Sequence, residues 1–340
     1  MLNKINNRIE TLDFLRGFAL LGIILVNIIA IAQLPAPELS NDITYKKFLD
    51  FFIESKFFAI FSYLFGIGFY IFMQRAEHKV ENKYVIFLRR IIVLGIFGFF
   101  HMQLQSGEAL LIYAIFGLLL IPFFKVNKYI NLVIGVIILV FVIWLDAKFL
   151  IPFPYFILGL ASAQFEIIFK FKTTKKIWSI VAIASGIVSL LGWYVLNKFY
   201  VVPHIDLSPQ QLQKNPEDYI VAVDQYHHLI TIFSPFMSLF YISCLILLLN
   251  MTCGRFILTP LKYYGRMALT NYIGQTLIIC LLILIFDGEQ WSLLNTLWIC
   301  LMIYIVQIIS SLVWLKYFKL GPLEYIWKLA TYMKWINMTK

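Results

Sequence analysis

An arginine and an amide, Arg16 and Asn27, stand 11 residues apart in the first apolar stretch, and Arg90 and His101 repeat that spacing in the third. At about 100° per residue, such a step returns to within about 20° of the same helix face. Asp13 lies within about 60° of both Arg16 and Asn27. Each of these two helices therefore carries a cationic group near one end and a hydrogen-bonding or titratable group near the other. Glu108 follows His101 after a very short turn and opens the next apolar run. Histidine is the side chain most easily poised as a base near neutral pH, and a carboxylate can steer its second ring nitrogen. Arg16, Arg89, Arg90 and Arg266 form one layer, suited to phosphate through bidentate contacts. Asn27, His101 and Glu108 form a second layer, suited to acid–base work. A further run, GRMALTNYIGQ, sets Thr270, Asn271 and Gln275 beside Arg266 at the head of one helix and suggests a lined cavity. Each feature also has a plainer role. Asp13 and Arg16 make an ion pair that fixes a helix end, Asn27 an interhelical hydrogen bond, His101 a satisfied interfacial side chain, and the amides helix glue.

The elements that position these residues are membrane spans. The chain has 340 residues, 61% hydrophobic and 14% charged, with a mean hydropathy of +0.84. The apolar residues come in continuous blocks of about the 20 residues that a helix needs to cross a bilayer. Continuous rather than alternating blocks exclude a barrel. The expected fold is an all-α polytopic bundle of about ten spans, near 12–33, 55–74, 86–104, 108–124, 129–147, 150–169, 177–198, 228–250, 267–286 and 293–315. With the N-terminus inside, Lys46, Lys47, Lys56, Lys148, Lys198 and Lys214 fall outside and Arg16 lies within the first span, while the rest of the 28 basic residues lie inside. Every second connection is basic, the pattern of the positive-inside rule, so both termini are expected in the cytoplasm. The same dispersal of charge argues against nucleic acid as partner of a chain of net charge +10. The first span has no small-residue cleavage site after it and is read as a retained helix. The four cysteines show no metal or disulfide spacing and are read as small hydrophobes, with no metal expected.

The organisation reads as one membrane domain: an N-terminal bundle over 12–200, an extracytoplasmic loop or short helix over 201–227, three helices over 228–315, and a tail over 316–340. The tail alternates Trp and Tyr with Lys and is expected as an amphipathic helix at the inner interface.

Several segments resemble motifs of the YeiB-like family of bacterial membrane proteins. RIETLDFLRGFALLGIILVN (8–27) is similar to its opening motif, and SYLFGIGF (62–69) to its second span. LRRIIVLGIFGFFH (88–101) with GEALLIYAIFGLLL (107–120) is similar to its third and fourth spans. GRMALTNYIGQTLI (265–278) and GPLEYIWKLATY (321–332) resemble its C-terminal signature. Where the family more usually has GDIL, this chain has GEAL, with Glu108 keeping the carboxylate on a longer arm. The family in turn resembles transmembrane acyltransferases that take an acyl group from cytosolic acyl-CoA to a sugar hydroxyl or amine across the membrane. That resemblance implies Arg16, Asn27 and His101 as counterparts of their functional residues, with His101 on a later helix than in the heparan-α-glucosaminide enzyme.

The reading that results is an acyltransferase of the bacterial cell membrane, with acyl-CoA as cosubstrate, the arginines on its phosphates, and an extracytoplasmic glycan or small-molecule acceptor. His101, steered by Glu108, deprotonates the acceptor and Asn27 steadies the oxyanion. Asp13, Thr270, Asn271 and Gln275 line the substrate cavity. The alternatives are a transporter or exporter of a small solute, which intramembrane charges also fit, and a non-catalytic scaffold among membrane lipids. The absence of a repeat or of paired broken helices argues against the transporter.

Overall fold

The structure is a computed structural model that describes residues 9–37, 39–77, 82–167, 174–201, 216–286, 291–335 and 337–340. Its α-helices are α1 (Glu10–Ile31), α2 (Ser40–Phe48), α3 (Lys56–Glu77), α4 (Lys83–His101), α5 (Leu110–Leu119), α6 (Lys128–Trp144), α7 (Pro152–Gln164), α8 (Lys175–Lys198), α9 (Pro216–Leu249), α10 (Thr252–Ile257), α11 (Thr259–Arg266), α12 (Ala268–Phe286), α13 (Leu293–Tyr317) and α14 (Pro322–Tyr332). The only β pairing among the described residues is an isolated bridge between Phe318 and Thr339.

A helix lies at each of the ten expected span positions. Among the described residues, seven runs are long and apolar enough to cross a membrane: α1, the stretch Ser40–Glu77, α4, α8, most of α9, α12 and α13. The other three are shorter, with 10, 17 and 13 residues in α5, α6 and α7. A 3-10 turn, Ile121–Lys125, prolongs α5. Side-chain caps start several helices. Asn82 accepts from the amides of Tyr84 and Val85, Asn127 from Tyr129 and Ser292 from Asn295, each satisfying an amide left over by the first helical turn.

The fold departs from the sequence reading in three places. The connection after α1 holds a helix of its own, α2, joined to α3 through a π-helical turn, Leu49–Ile53. Ser55 sits at φ 66° there, and the buried Lys56 ammonium donates to Asp50 O at 2.6 Å. The eighth span starts far earlier than 228, because α9 runs unbroken from Pro216; the rest of the expected outer loop, 202–215, lies outside the described residues. The tail forms the expected helix, α14, but its apolar face meets protein: Trp327 Nε1 donates to Arg90 O at 2.8 Å, and the Tyr332 ring lies against Phe72.

Two crossings set the geometry of the bundle. On α1 and α11, a methyl added at Gly17 would fall 2.2 Å from Leu261 O, and one at Gly265 would fall 1.9 Å from Asp13 O. On α3 and α7, Gly66 and Gly159 make the same reciprocal approach to Phe156 O and Tyr63 O. Lipid offers no hydrophobic drive for one helix to prefer another, so close backbone contact at small residues supplies the dispersion that holds them. Ion pairs from Arg255 and from Lys262 (3.2 Å) to Glu10 tie the start of α1 to the α10–α11 elbow. Ile9 and residues of α14 line one cavity, so both described ends of the chain lie at one end of the bundle.

Candidate functional site

The face of α1 read from the 11-residue spacing lines two cavities in succession. Ile9, Leu12, Asp13 and Arg16 border the larger, of about 390 Å3. Ile23 and Asn27 border the smaller, of about 30 Å3. Helix α3 contributes a matching stripe to the larger cavity: Phe61, Phe65, Gly68, Phe72 and Arg75, at steps of three and four. Helix α4 adds Phe87, Arg90 and Leu94; α11 and α12 add Arg266, Leu269 and Tyr272; α14 adds Glu324, Trp327 and Lys328.

Charge gathers at one end of the larger cavity. Arg16 pairs with the buried Asp13 at 3.5 Å and keeps about a third of its side chain exposed. The Arg90 guanidinium lies 3.5 Å from the centre of the Trp327 ring and 5.0 Å from that of Phe72, a cation–π sandwich that fixes its plane. Arg266 donates to Lys319 O at 3.2 Å. Sequence reasoning missed Arg75, Trp327, Glu324 and Lys328 as wall residues, although the α3 stripe was legible as a helical period. The place given to Arg89 is corrected: it points to the exposed side of α4 and borders neither cavity, because it stands about 100° round the helix from Arg90.

The run at the head of α12 divides by role. Thr270 Oγ1 donates to Glu324 Oε2 at 2.6 Å, and Glu324 Oε1 accepts from the amides of Leu269 (2.7 Å) and Thr270 (3.1 Å). A tail carboxylate thus caps the first turn of α12. Burial holds the Glu324 carboxyl above its ordinary range, against the lowering effect of these donors. Asn271 and Gln275 border neither cavity. Asn271 Nδ2 donates to Tyr264 O at 2.9 Å and to Ser311 Oγ at 3.0 Å; Gln275 donates to the Tyr264 hydroxyl, which bonds Gln307 at 3.2 Å. These amides join α11, α12 and α13, as buried side-chain amides commonly do between spans.

His101 and Glu108 do meet. His101 Nδ1 lies 3.2 Å from Glu108 Oε1, and both side chains are buried. The second ring nitrogen lies 2.8 Å from Thr276 Oγ1, which donates onward to Gln105 Oε1 at 3.1 Å. Glu108 also accepts from the amides of Leu110 (2.7 Å) and Leu111 (2.8 Å), so it caps α5 while holding the imidazole. The expectation of His101 on a cavity wall shared with Asn27 is corrected for these two cavities: His101 lines neither. The reason lies one turn below, where Gly98 lets the start of α5 press onto α4. A methyl there would fall 2.4 Å from Leu111 N. What stands between His101 and the cavities is Tyr272. Its ring centre is 5.0 Å from the imidazole, and its hydroxyl engages the backbone of Ala109 and the side chain of Asn27.

Residues 162–334 match the family described as Protein of unknown function (DUF418). An uncharacterized 39.9 kDa protein in the amylase 3' region of Bacillus acidopullulyticus is 46% identical over 330 residues, covering 96% of this chain and 95% of that protein. The uncharacterized protein YxaH of Bacillus subtilis is 26% identical, covering 98% of this chain and 97% of its own. The uncharacterized protein YeiB of Escherichia coli is 25% identical, covering 94% and 95%. No solved structure matches. The likeness runs over nearly the whole length of these bacterial proteins, and the family signature spans the half of the chain that carries α12, α13 and the capping tail, so the chain belongs to the YeiB-like, DUF418 family of multi-helical proteins.

Proposed function

We propose that this protein is an acyl-CoA-dependent acyltransferase of the bacterial cell membrane, with ten spans and both termini cytoplasmic. The ten-span reading takes α5, α6 and α7 as crossings despite their length, since an even number returns the chain to the end where it starts. Basic residues cluster on that side, as the positive-inside rule requires.

One observation carries the functional reading: a single face of α1 borders a cationic cavity at Arg16 and a small, mostly apolar one at Asn27. Eleven residues of helix separate these side chains by about 16 Å, the reach of a chain of about 14 bonds. The pantetheine arm of coenzyme A, from phosphate to sulfur, has a comparable length. The guanidinium groups at the wide end suit the phosphates, the phenyl rings of α3 suit the arm, and Asn27 meets the thioester. The acceptor oxygen or nitrogen attacks the thioester carbonyl, its bond to carbon forms as the carbon–sulfur bond breaks, and its proton passes by way of His101 to the leaving thiolate. Asn27 steadies the oxyanion. Tyr272 must turn aside for the imidazole to reach the acceptor, and Glu108 keeps the ring oriented as it does.

Isothermal calorimetry with acetyl-CoA tests the donor site. Arg16→Ala weakens binding more than Arg16→Lys, because Lys keeps the charge and loses the fork. Equal binding by wild type and both variants removes Arg16 from the site. The enclosed setting of His101, both nitrogens already bonded, favours a second reading, carriage of an anionic amphiphile without chemistry. Release of free thiol from acetyl-CoA on adding acceptor separates the two, since carriage releases none.

A further inference from the structure

The two cavities share four wall residues: Phe61, Leu110, Tyr113 and Tyr272. Tyr113 is the most firmly held of them. It is 1% exposed, and its ring is wedged among Phe58, Phe65 and Phe156, with centres 5.7, 5.5 and 5.0 Å away. Its hydroxyl lies 2.6 Å from Ser62 Oγ, and Ser62 in turn donates to Phe58 O at 2.8 Å. This latch spends the polar end of Tyr113 on α3 and fixes the ring in the wall that both cavities share. A tyrosine tied in this way does not swing aside as a solvated one does.

The two cavities differ more than tenfold in volume, about 390 Å3 against about 30 Å3. A water needs about 10–15 Å3 on this measure, so the smaller chamber takes a group of two or three heavy atoms. We propose that Tyr113, latched by Ser62, is the specificity-determining stop that limits the transferred acyl group to two or three carbons. The inference rests on the acyl-donor reading. In that reading the thioester lies at the junction, and the acyl chain has only the smaller chamber to occupy. A longer chain must displace the Tyr113 ring from its aromatic cage and break the Ser62 latch.

The test is calorimetry on the purified full chain with free CoA and with acetyl-, butyryl- and octanoyl-CoA. Wild type binds the two-carbon thioester at least about tenfold more tightly than the eight-carbon one, since each unaccommodated methylene in a closed pocket is discriminated by about tenfold or more. Tyr113→Leu narrows the acetyl-to-octanoyl ratio to within about threefold. Ser62→Ala keeps the ring and removes the latch, and moves the ratio the same way by less. A merely structural role for Tyr113 lowers thermal stability and leaves the ratio alone. If Tyr113→Leu fails to fold, Ser62→Ala alone decides. A flat series in wild type, or a ratio unmoved by the variants while CoA still binds, overturns the stop and leaves the donor reading standing. No binding of CoA or any thioester overturns both.

Discussion

The two ends of the α1 face are built on opposite principles. At the arginine end the cavity is wide, Arg16 keeps part of its side chain exposed, and the cations meet an aromatic ring, a backbone carbonyl and Asp13. At the Asn27 end the space shrinks to about 30 Å3, and the neighbouring His101, Glu108 and Thr276 are buried and bonded to one another. A partly exposed guanidinium exchanges partners more readily than a buried network, which is stable only when its members are satisfied. On the proposed acyl-donor reading, the contrast assigns affinity to one end and discrimination to the other.

Perturbing the locked end gives the largest effect. Glu108→Ala leaves the His101 ring nitrogen and the amides of Leu110 and Leu111 without an acceptor, at a cost of about 3 kcal/mol or more in thermal unfolding in detergent. A loss below about 1 kcal/mol means that water replaces the carboxylate and that the end is wetter than described.

Next comes the crossing that supports the open end. Gly265→Ala drives a methyl into Asp13 O and costs about 1–3 kcal/mol. Gly95→Ala, whose methyl meets Ala114 Cβ at 3.5 Å, is close to neutral and serves as the control. Equal stability of the two variants would show that α11 slides freely over α1.

A smaller effect is expected within the locked end itself. Thr276→Val removes one partner each from His101 and Gln105 and costs about 1 kcal/mol. The tail adds a pH dependence. Because burial raises the Glu324 carboxyl above its ordinary range, its contribution is full at pH values below that range and is lost as pH rises through the raised value. The difference in unfolding temperature between wild type and Glu324→Gln therefore shrinks or reverses as pH rises; a constant difference excludes Glu324 as the titrating group. The smallest effect belongs to Arg89→Ala, expected within about 0.5 kcal/mol of wild type and without change in CoA binding. A weakened affinity there returns Arg89 to the site.

The face of α1 was legible in the sequence because a single helix imposes its own period, and Arg16 and Asn27 need no partner to be aligned. The same period, applied to Arg89 and Arg90, separates them, since neighbours on a helix cannot share a narrow face. The meeting of His101 with Glu108 was legible from their shared turn. Thr276 and Tyr272 were not, because they approach His101 from α12, about 170 residues on, through tertiary packing alone. The destination of the tail was hidden for a different reason. An aromatic, amphipathic helix suits a lipid interface and a protein groove equally, as both are apolar. Only the carboxylate of Glu324, placed to cap α12, distinguishes them.

Helix α14, the last of the described helices in chain order, supplies Glu324, Trp327 and Lys328 to the wide cavity. The walls of that cavity from α1, α3 and α4 precede this one in chain order. A stop codon just before Pro322 would leave α12 without its Glu324 cap and Arg90 with Phe72 but without the Trp327 ring. A chain cut there would carry the other helices that line the cavity but leave this wall open.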